Sequence, residues 1–391
     1  MKKIKIGLFG FGVVGEGIYK VLQSKKSLQT EVKTVVIKNP TKKRNGPQEL
    51  FSTDANTILH DPEIDLVVEL IDDADAAFEI VKKSFALGKS VVSANKKMIA
   101  ERHNELVALS KKHKVSFLYE ASVCGSVPII RNLEEYFDND LLHSVQGIVN
   151  GSTNYILSQM TDKGTNYEHA LNDAQQNGFA ESDPKSDVEG IDAAYKLCII
   201  ALHAFGKKAE ARDVLRKGIT SLSEFDFQYA KEKNSVIKLI AKCHTSTNGK
   251  LQALTVVPTF VSKNESLGLT HNEYNGVIVE SALADKQFFY GKGAGRYPTS
   301  SAVLSDISAY GYGYQYEYKK GNSPFTQVEN CAGKFYISFP NFTAINREIF
   351  KSIDQEYSSA QRSYIIGEIS LDDLQKSDML SNPDVSVISL N

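Results

Sequence analysis

Cysteine is scarce in this 391-residue chain and never closely spaced. Cys124, Cys198, Cys243 and Cys331 stand far apart without a C-x-x-C pair, which argues against a disulfide framework or a thiolate zinc site. Long apolar runs are also missing, and none approaches the roughly 18 to 20 residues needed to span a bilayer. The opening MKKIKIGLFGFGVVG sets two lysines before an apolar run, but glycines punctuate it and no A-x-A site follows, so it does not read as a secretory signal. An excess of charge of one sign is absent too. A formal net charge of −2, with both signs dispersed, gives no reason to expect nucleic acid or a membrane surface as partner. What remains is an ordinary globular composition, 42% hydrophobic and 24% charged, in a chain long enough for two or three domains and expected in the cytoplasm.

The first 120 or so residues alternate short β-branched runs with helical patterns, which predicts βαβ units and a parallel sheet. The runs are KIKIGLF, VKTVVIK, IDLVVELI, SVVSAN and VSFLYEA, with GVVGEGIYKVL and AAFEIVKKSFALG as helices between them. From about Leu141 the texture changes. SVQGIVNGSTNYILSQM reads as strand, turn and helix, while LQALTVVPTFV and NGVIVESA read as strands of a second sheet. That sheet has no evident cover, which points to a homodimer. YGKGAGRYPTSSAVLSDI precedes another helix, with Pro298 near its start. The last 60 or so residues, KFYISF, AINREIFKSIDQEY, RSYIIGEISL and SVISL, predict a small βαββ-like appendage. In YGYGYQYEY, Tyr310 to Tyr318 lack a neighbouring basic patch, so strand-like packing outweighs base stacking.

Gly10, Gly12 and Gly15 of GFGVVG have G-x-G-x-x-G spacing directly between a strand and a helix. A tight turn, a close pyrophosphate approach and a helix N-terminus facing the phosphates all require that placement, so the turn predicts dinucleotide binding. Where an NAD enzyme usually offers Asp or Glu to the ribose, this chain has Lys38 and Asn39, then Lys42, Lys43 and Arg44. Cations there suit a 2′-phosphate and favour NADP(H), with NAD(H) the alternative.

The stretch GFAESDPKSDVEGIDAAYKL holds five carboxylates before Lys196. In IDAAYKLCIIALHAF the only charged residues are Asp192 and Lys196, stacked on one helical face by their four-residue spacing. A surface ion pair would fit a helix with more charge. A pair in apolar surroundings is the arrangement that shifts a lysine toward neutrality and poises it for proton transfer. Ser186 and Glu189 form an S-x-x-E pattern and predict a capping box, and Asp183 precedes Pro184 and shapes a turn. Glu181 and Asp187 remain to hold an ammonium group or position water, and His203 reads as core. Asn95 and Lys96 follow the strand SVV, at the sheet edge where ligands of open α/β sheets bind. Cys124 offers a rival as a thioester-forming nucleophile, but no His lies near it in sequence.

These pieces together resemble homoserine dehydrogenase, the family that interconverts aspartate 4-semialdehyde and homoserine. The resemblance spans roughly residues 1 to 310: GFGVVG, VVELI, SANK, EASVCGSVPII, GIVNGSTNYIL, GFAESDPKSDVEGIDAAYKL and GKGAGRYPTSSAV follow one another in the family's order. It implies an α/β chain: a Rossmann-type NADP-binding domain over 1–140, an α+β substrate and dimerisation domain over 141–320, and an ACT-like βαββ appendage over 330–391. It implies Lys196 as general acid/base, Asp192 and Glu181 as substrate ligands lined by Ser152 and Phe179, Asp187 in the supporting network, and Lys96 between cofactor and substrate. The cofactor set would be Gly10, Phe11, Gly12, Val13, Val14, Gly15, Lys38, Ile71, Lys96, Gly293 and Gly295. A monovalent cation, usually sodium, would take oxygens at Glu120, Val123, Gly125 and Val127. Two departures stand out. Asp72 and Asp73 replace a frequent Gly-Gly pair, and the C-terminal residues lack the D-x-P-G turn that usually meets an amino-acid ligand, so threonine feedback is not implied. The rivals are an acylating semialdehyde dehydrogenase using Cys124 and a non-catalytic dinucleotide-responsive regulator.

Overall fold

The computed structural model describes residues 3–25, 29–138, 141–246, 250–328, 331–341 and 345–390. The chain divides into two compact units, residues 1–136 with 292–319 and residues 137–291 with 320–391. Among the described residues no helix is long and apolar enough to cross a membrane.

The first unit is built on six strands, β1 (Ile4–Phe9), β2 (Thr30–Val36), β3 (Phe51–Ser52), β4 (Leu66–Glu69), β5 (Ser90–Ser93) and β6 (Phe117–Leu118). All pair in parallel, in the order β3-β2-β1-β4-β5-β6. Strands buried on both faces need continuous apolar runs, and LVVE and SVVS supply them. Four helices connect them: α1 (Val13–Ser24), α2 (Asn56–Leu59), α3 (Ala74–Ala86) and α4 (Lys96–His113). The order reverses between β1 and β4, the switch point where open sheets of this kind take ligands. A helix from far along the chain, Arg296–Gly311, packs on α1, where a side chain at Gly17 would lie 2.6 Å from Ser300 Oγ.

The second unit carries one large mixed sheet. Its strands are β7 (Leu142–Ile148), β9 (Leu215–Arg216), β10 (Ser235–Thr245), β11 (Leu251–Ser262), β12 (Tyr274–Ser281), β13 (Asp285–Lys292), β15 (Ala332–Phe339), β16 (Phe350–Tyr357), β17 (Ser363–Ser370) and β18 (Ser386–Leu390). They run β13-β12-β7-β10-β11-β18-β15-β17-β16, with β9 beside β11; β8 (Lys207–Lys208) and β14 (Ser323–Pro324) form a separate pair. Helices α5 (Gly151–Lys163), α6 (Tyr167–Gln176), α7 (Lys185–Val188), α8 (Ile191–Phe205) and α9 (Glu224–Glu232) complete the unit before the late helix Leu371–Lys376. α8 packs on β7, β10 and β11 and is buried over nearly its whole length, which explains why it is apolar almost all round, Asp192 and Lys196 being its only charged residues. Gly190 and Gly206, at φ 72° and 62°, bound it in the left-handed region.

Three expectations are corrected. The C-terminal order is βββαβ, not βαββ: Phe350–Tyr357, read as helical, is the edge strand β16. Tertiary pairing decides this, through the ladder with β17, the stacking of Tyr357 on Tyr364 at 5.3 Å and the Gln355 Nε2 bond to Tyr364 OH at 2.7 Å. Ala344, the first residue of that reading, lies outside the described residues. These strands also continue the large sheet, since β18 joins β11 on one side and β15 on the other. The tyrosine stretch is not a strand. Tyr310 lies in the last turn of a helix, and Tyr316 packs on Tyr119 at 4.9 Å while Tyr318 shares a hydroxyl bond with Tyr119 at 2.9 Å. Finally, Ser186 and Glu189 do not cap a helix: Ser186 lies inside α7, Glu189 ends it, and α8 starts at Gly190 without a side-chain cap. The short α7 uses the residues that the spacing assigned to a cap.

Candidate active-site groups

In the first unit β1 delivers the chain into Gly10 at φ 95°, where a side chain would also lie 2.7 Å from Leu70 O. A Cβ at Gly15 would collide with the Gly10 carbonyl, so glycine here lets α1 close onto the strand. Gly12, the N-cap of α1, has nothing within 4 Å of a would-be Cβ, and Val13 beside it is exposed. The turn thus leaves an open approach to a helix N-terminus, which suits a pyrophosphate. Phe11 is buried instead, edge-on to Tyr19 and Phe51. Lys38, Lys42 and Lys43 are exposed beyond the end of β2, and Arg44 closes their loop by donating to the Asn39 and Lys42 carbonyls at 2.7 Å each. Asn45 ties that loop to α1 through Glu16, whose carboxyl is held down to about 2, chiefly by Lys20.

At the carboxyl ends of β4 and β5 a polar chain sets the neighbouring loops. Glu69, 0% exposed, accepts from Ser93 Oγ and from Ile71 N, both at 2.6 Å. Burial pushes its carboxyl up to about 7. Ser93 accepts from Asn95 N at 3.1 Å, and Asn95 caps α4 through Met98 N while its amide donates to Ile71 O at 3.0 Å. Lys96, half-buried, is therefore the first residue of a fixed helix. Asp73, one of the two acids in place of glycine, caps α3 by accepting from Ala76 N at 2.9 Å; Asp72 is exposed.

Further along, Gly125 sits at φ 54°, and a Cβ there would collide with the Gly293 carbonyl and come 2.9 Å from Lys292 O. Gly295 follows at φ 112° as the N-cap of Arg296–Gly311. Glu120 spends its two carboxylate oxygens on Ile130 N and Arg131 N at 2.9 Å each. Among the described residues no group of three or more His, Cys, Asp or Glu side chains could hold a metal. A cation at Glu120, Val123, Gly125 and Val127 would therefore need main-chain carbonyls, ligands suited to a hard ion. Cys124 is fully buried, which leaves a substrate carbonyl no approach to its sulfur.

The second unit holds the ion pair. Lys196 Nζ lies 2.7 Å from Asp192 Oδ2 and donates to Val149 O at 2.7 Å, and the two residues are 8% and 2% exposed. One Asn150 amide nitrogen donates to Asp192 Oδ2 at 2.9 Å and to Asp187 Oδ1 at 2.7 Å. Asn150 is at the same time the N-cap of α5, accepting from Thr153 N at 2.9 Å. Lys196, Asp192, Asp187 and Asn150 thus form one network, into which Asn150 enters without any distinguishing mark in the sequence beyond its capping position. Ser152 Oγ donates to the Phe179 carbonyl at 2.6 Å, and the Phe179 ring lies 4.6 Å from Tyr155. Glu181 is exposed and is tied by its carbonyl to Gln175 Nε2 at 2.9 Å; among the described residues its carboxylate does not join the network. Asp183 accepts from Lys185 N at 3.2 Å, and His203 is buried in α8. A shielded ammonium with a carboxylate partner can hand over a proton, and the adjacent acids can hold a cationic group.

A family model described as homoserine dehydrogenase, NAD binding domain, matches residues 10–120, and one described as homoserine dehydrogenase matches residues 128–308. A Synechocystis homoserine dehydrogenase is 40% identical over 313 residues, 78% of this chain and 72% of the relative. That of Bacillus subtilis is 36% identical over 318 residues, 79% and 73% of the two chains. The crystal structure of a homoserine dehydrogenase from Thiobacillus denitrificans superposes with a TM-score of 0.85 at 29% identity, covering 100% of this chain and 99% of the other. A hyperthermophilic archaeal homoserine dehydrogenase in complex with NADPH gives a TM-score of 0.69 at 25% identity, covering 81% and 99%.

Proposed function

The chain belongs to the homoserine dehydrogenase family, a family of NAD(P)-dependent oxidoreductases, and from that premise we propose that it reduces L-aspartate 4-semialdehyde reversibly to L-homoserine with Lys196 as general acid/base. The observation that carries this reading is the shielded Asp192–Lys196 pair, joined to Asp187 through Asn150. When bound, the dinucleotide supplies or takes up the hydride. As charge develops on the aldehyde oxygen, the Lys196 ammonium delivers a proton there, directly or through water held by Asp187. In the reverse direction the Lys196 amine takes the hydroxyl proton of homoserine. Asp192 and Glu181 bind the substrate, Ser152 and Phe179 line its site, and Lys96 is the competing donor.

The dinucleotide rests on Gly10 to Gly15, with Ile71, Lys96, Gly293 and Gly295 as further contacts. The exposed Lys38, Lys42 and Lys43 support NADP(H) over NAD(H), because they offer cations to a 2′-phosphate. A monovalent cation, sodium by family resemblance, takes the carbonyls of Glu120, Val123, Gly125 and Val127. The protein acts in the cytoplasm, in the synthesis of threonine, methionine and isoleucine, as a homodimer. The last strand β13, whose Phe288 and Tyr290 are exposed, supports the dimer.

Spectrophotometry of NADP reduction with L-homoserine tests the reading, with NAD in parallel. Turnover with L-homoserine and a higher kcat/KM for NADP are expected. Binding of the dinucleotide without turnover would overturn the enzymatic reading in favour of a regulator.

A further inference from the structure

The segment Leu215 to Asp226 runs as a strap between α7 and the C-terminal strands, all within the second unit. On one side it grips the end of α7: Ile219 N donates to Val188 O at 2.8 Å, the Thr220 hydroxyl donates to Glu189 Oε1 at 3.1 Å, and the Arg216 guanidinium donates to the Glu189 carbonyl. A side chain at Gly218 would lie 2.8 Å from Glu189 Cα, so the two backbones touch. On the other side Lys217, 5% exposed, donates to the carbonyls of Met379, Leu380 and Asn382 at 3.1, 3.2 and 2.8 Å. Ser386 Oγ lies 2.6 Å from Ser221 O and 2.8 Å from Asp226 Oδ2, and Ser338 Oγ lies 2.6 Å from Asp226 Oδ1.

An ammonium has three hydrogens, and here each meets one carbonyl. Burying such a charge costs more than burying a hydrocarbon of the same size, so it is poorly explained as packing alone. Its partners belong to one turn, just before β18, and its neighbours in the strap hold Val188 and Glu189. Asp187 precedes those residues and Asp192 follows them closely.

We infer that Lys217 is a positioning residue: it fastens the strap to the C-terminal turn and thereby holds the Asp187 and Asp192 carboxylates in place for the substrate. This rests on the proposed role of those carboxylates. The C-terminal strands therefore act on substrate binding through residues 215–220.

The full chain is compared with Lys217→Met, Lys217→Arg and Thr220→Val by amide hydrogen exchange and by steady-state kinetics. In Lys217→Met, residues 185–192 exchange about tenfold faster while α1 is unchanged, and KM for L-homoserine rises about fivefold or more with KM for NADP unaltered. Lys217→Arg recovers part of both effects. Thr220→Val, an exposed change that cuts the other end of the strap, moves both readouts the same way by less, and it decides the question if Lys217→Met does not fold. Wild-type exchange at residues 185–192 in a folded Lys217→Met would overturn the inference. Absence of homoserine turnover in the unaltered chain would count against the proposed function alone, because the exchange readout needs no substrate.

Discussion

Lys196 has two oxygen partners at 2.7 Å, one carboxylate and one carbonyl, and both hold it in a single position. The spacing of Asp192 and Lys196 made that pair legible in the sequence, because four residues on a helix bring two side chains together wherever the helix lies. Asn150 was not legible. Its type and place announce a cap, and its second use, bridging Asp187 and Asp192, exists only once β7 has brought the start of α5 beside α8. Glu69 was missed for a related reason: a glutamate ending an apolar run looks like the point where a strand reaches water, yet it is fully buried. Its carboxyl is raised from 4.5 to about 7 by burial, so the folded state holds the proton more tightly than the unfolded chain. Its contribution to stability is full below about pH 4.5 and is lost as pH rises through about 7. Glutamine mimics the protonated form and does not titrate, so Glu69→Gln removes this slope. Denaturant unfolding at pH 5 and pH 8 checks it: the variant gains stability relative to wild type at the higher pH, by on the order of 3 kcal/mol at most. An unchanged difference between the two pH values would contradict the buried-carboxyl reading.

At the scale of elements, the parallel sheet of the first unit was readable because β1, β4 and β5 are largely buried apolar runs and α1 and α3 are amphipathic. The same reasoning located β7, α5, α8, β11 and β12. It failed at β16, where Phe350 and Ile353 share a helical spacing but most of the strand is exposed and its conformation comes from pairing with β17. Its charged positions, Lys351, Asp354 and Glu356, suit an exposed edge. Capping patterns misled in both directions. S-x-x-E at Ser186 caps nothing, while the capping boxes that form join Glu210 to Asp213 and Ser223 to Asp226, the second inside the strap. A capping pattern becomes a cap only where the backbone turns into a helix at that residue, and a Gly at φ 72° moved the start of α8 past the pattern.

For the molecule as a whole, the large sheet ends in β13, whose residues are mostly exposed and include Phe288 and Tyr290. Both rings are exposed over the neighbouring strand β12, an apolar surface that suits a second chain; in the proposed homodimer Phe288→Lys shifts the protein from twice the monomer mass toward the monomer in sedimentation. A wild-type chain that sediments as a monomer at micromolar concentration would remove the dimer from the account. The glycine turn and its basic loop belong to the first unit, and Asp187, Asp192 and Lys196 to the second. The central claim is that Lys196 moves the proton. The most direct measurement is the turnover number for L-homoserine oxidation by Lys196→Ala and Lys96→Ala, each with saturating NADP and each shown to be folded. Loss of a general acid/base predicts a fall of about 100-fold or more in Lys196→Ala, with a smaller loss in Lys96→Ala. Near-normal turnover in Lys196→Ala, with the large loss in Lys96→Ala, would contradict it.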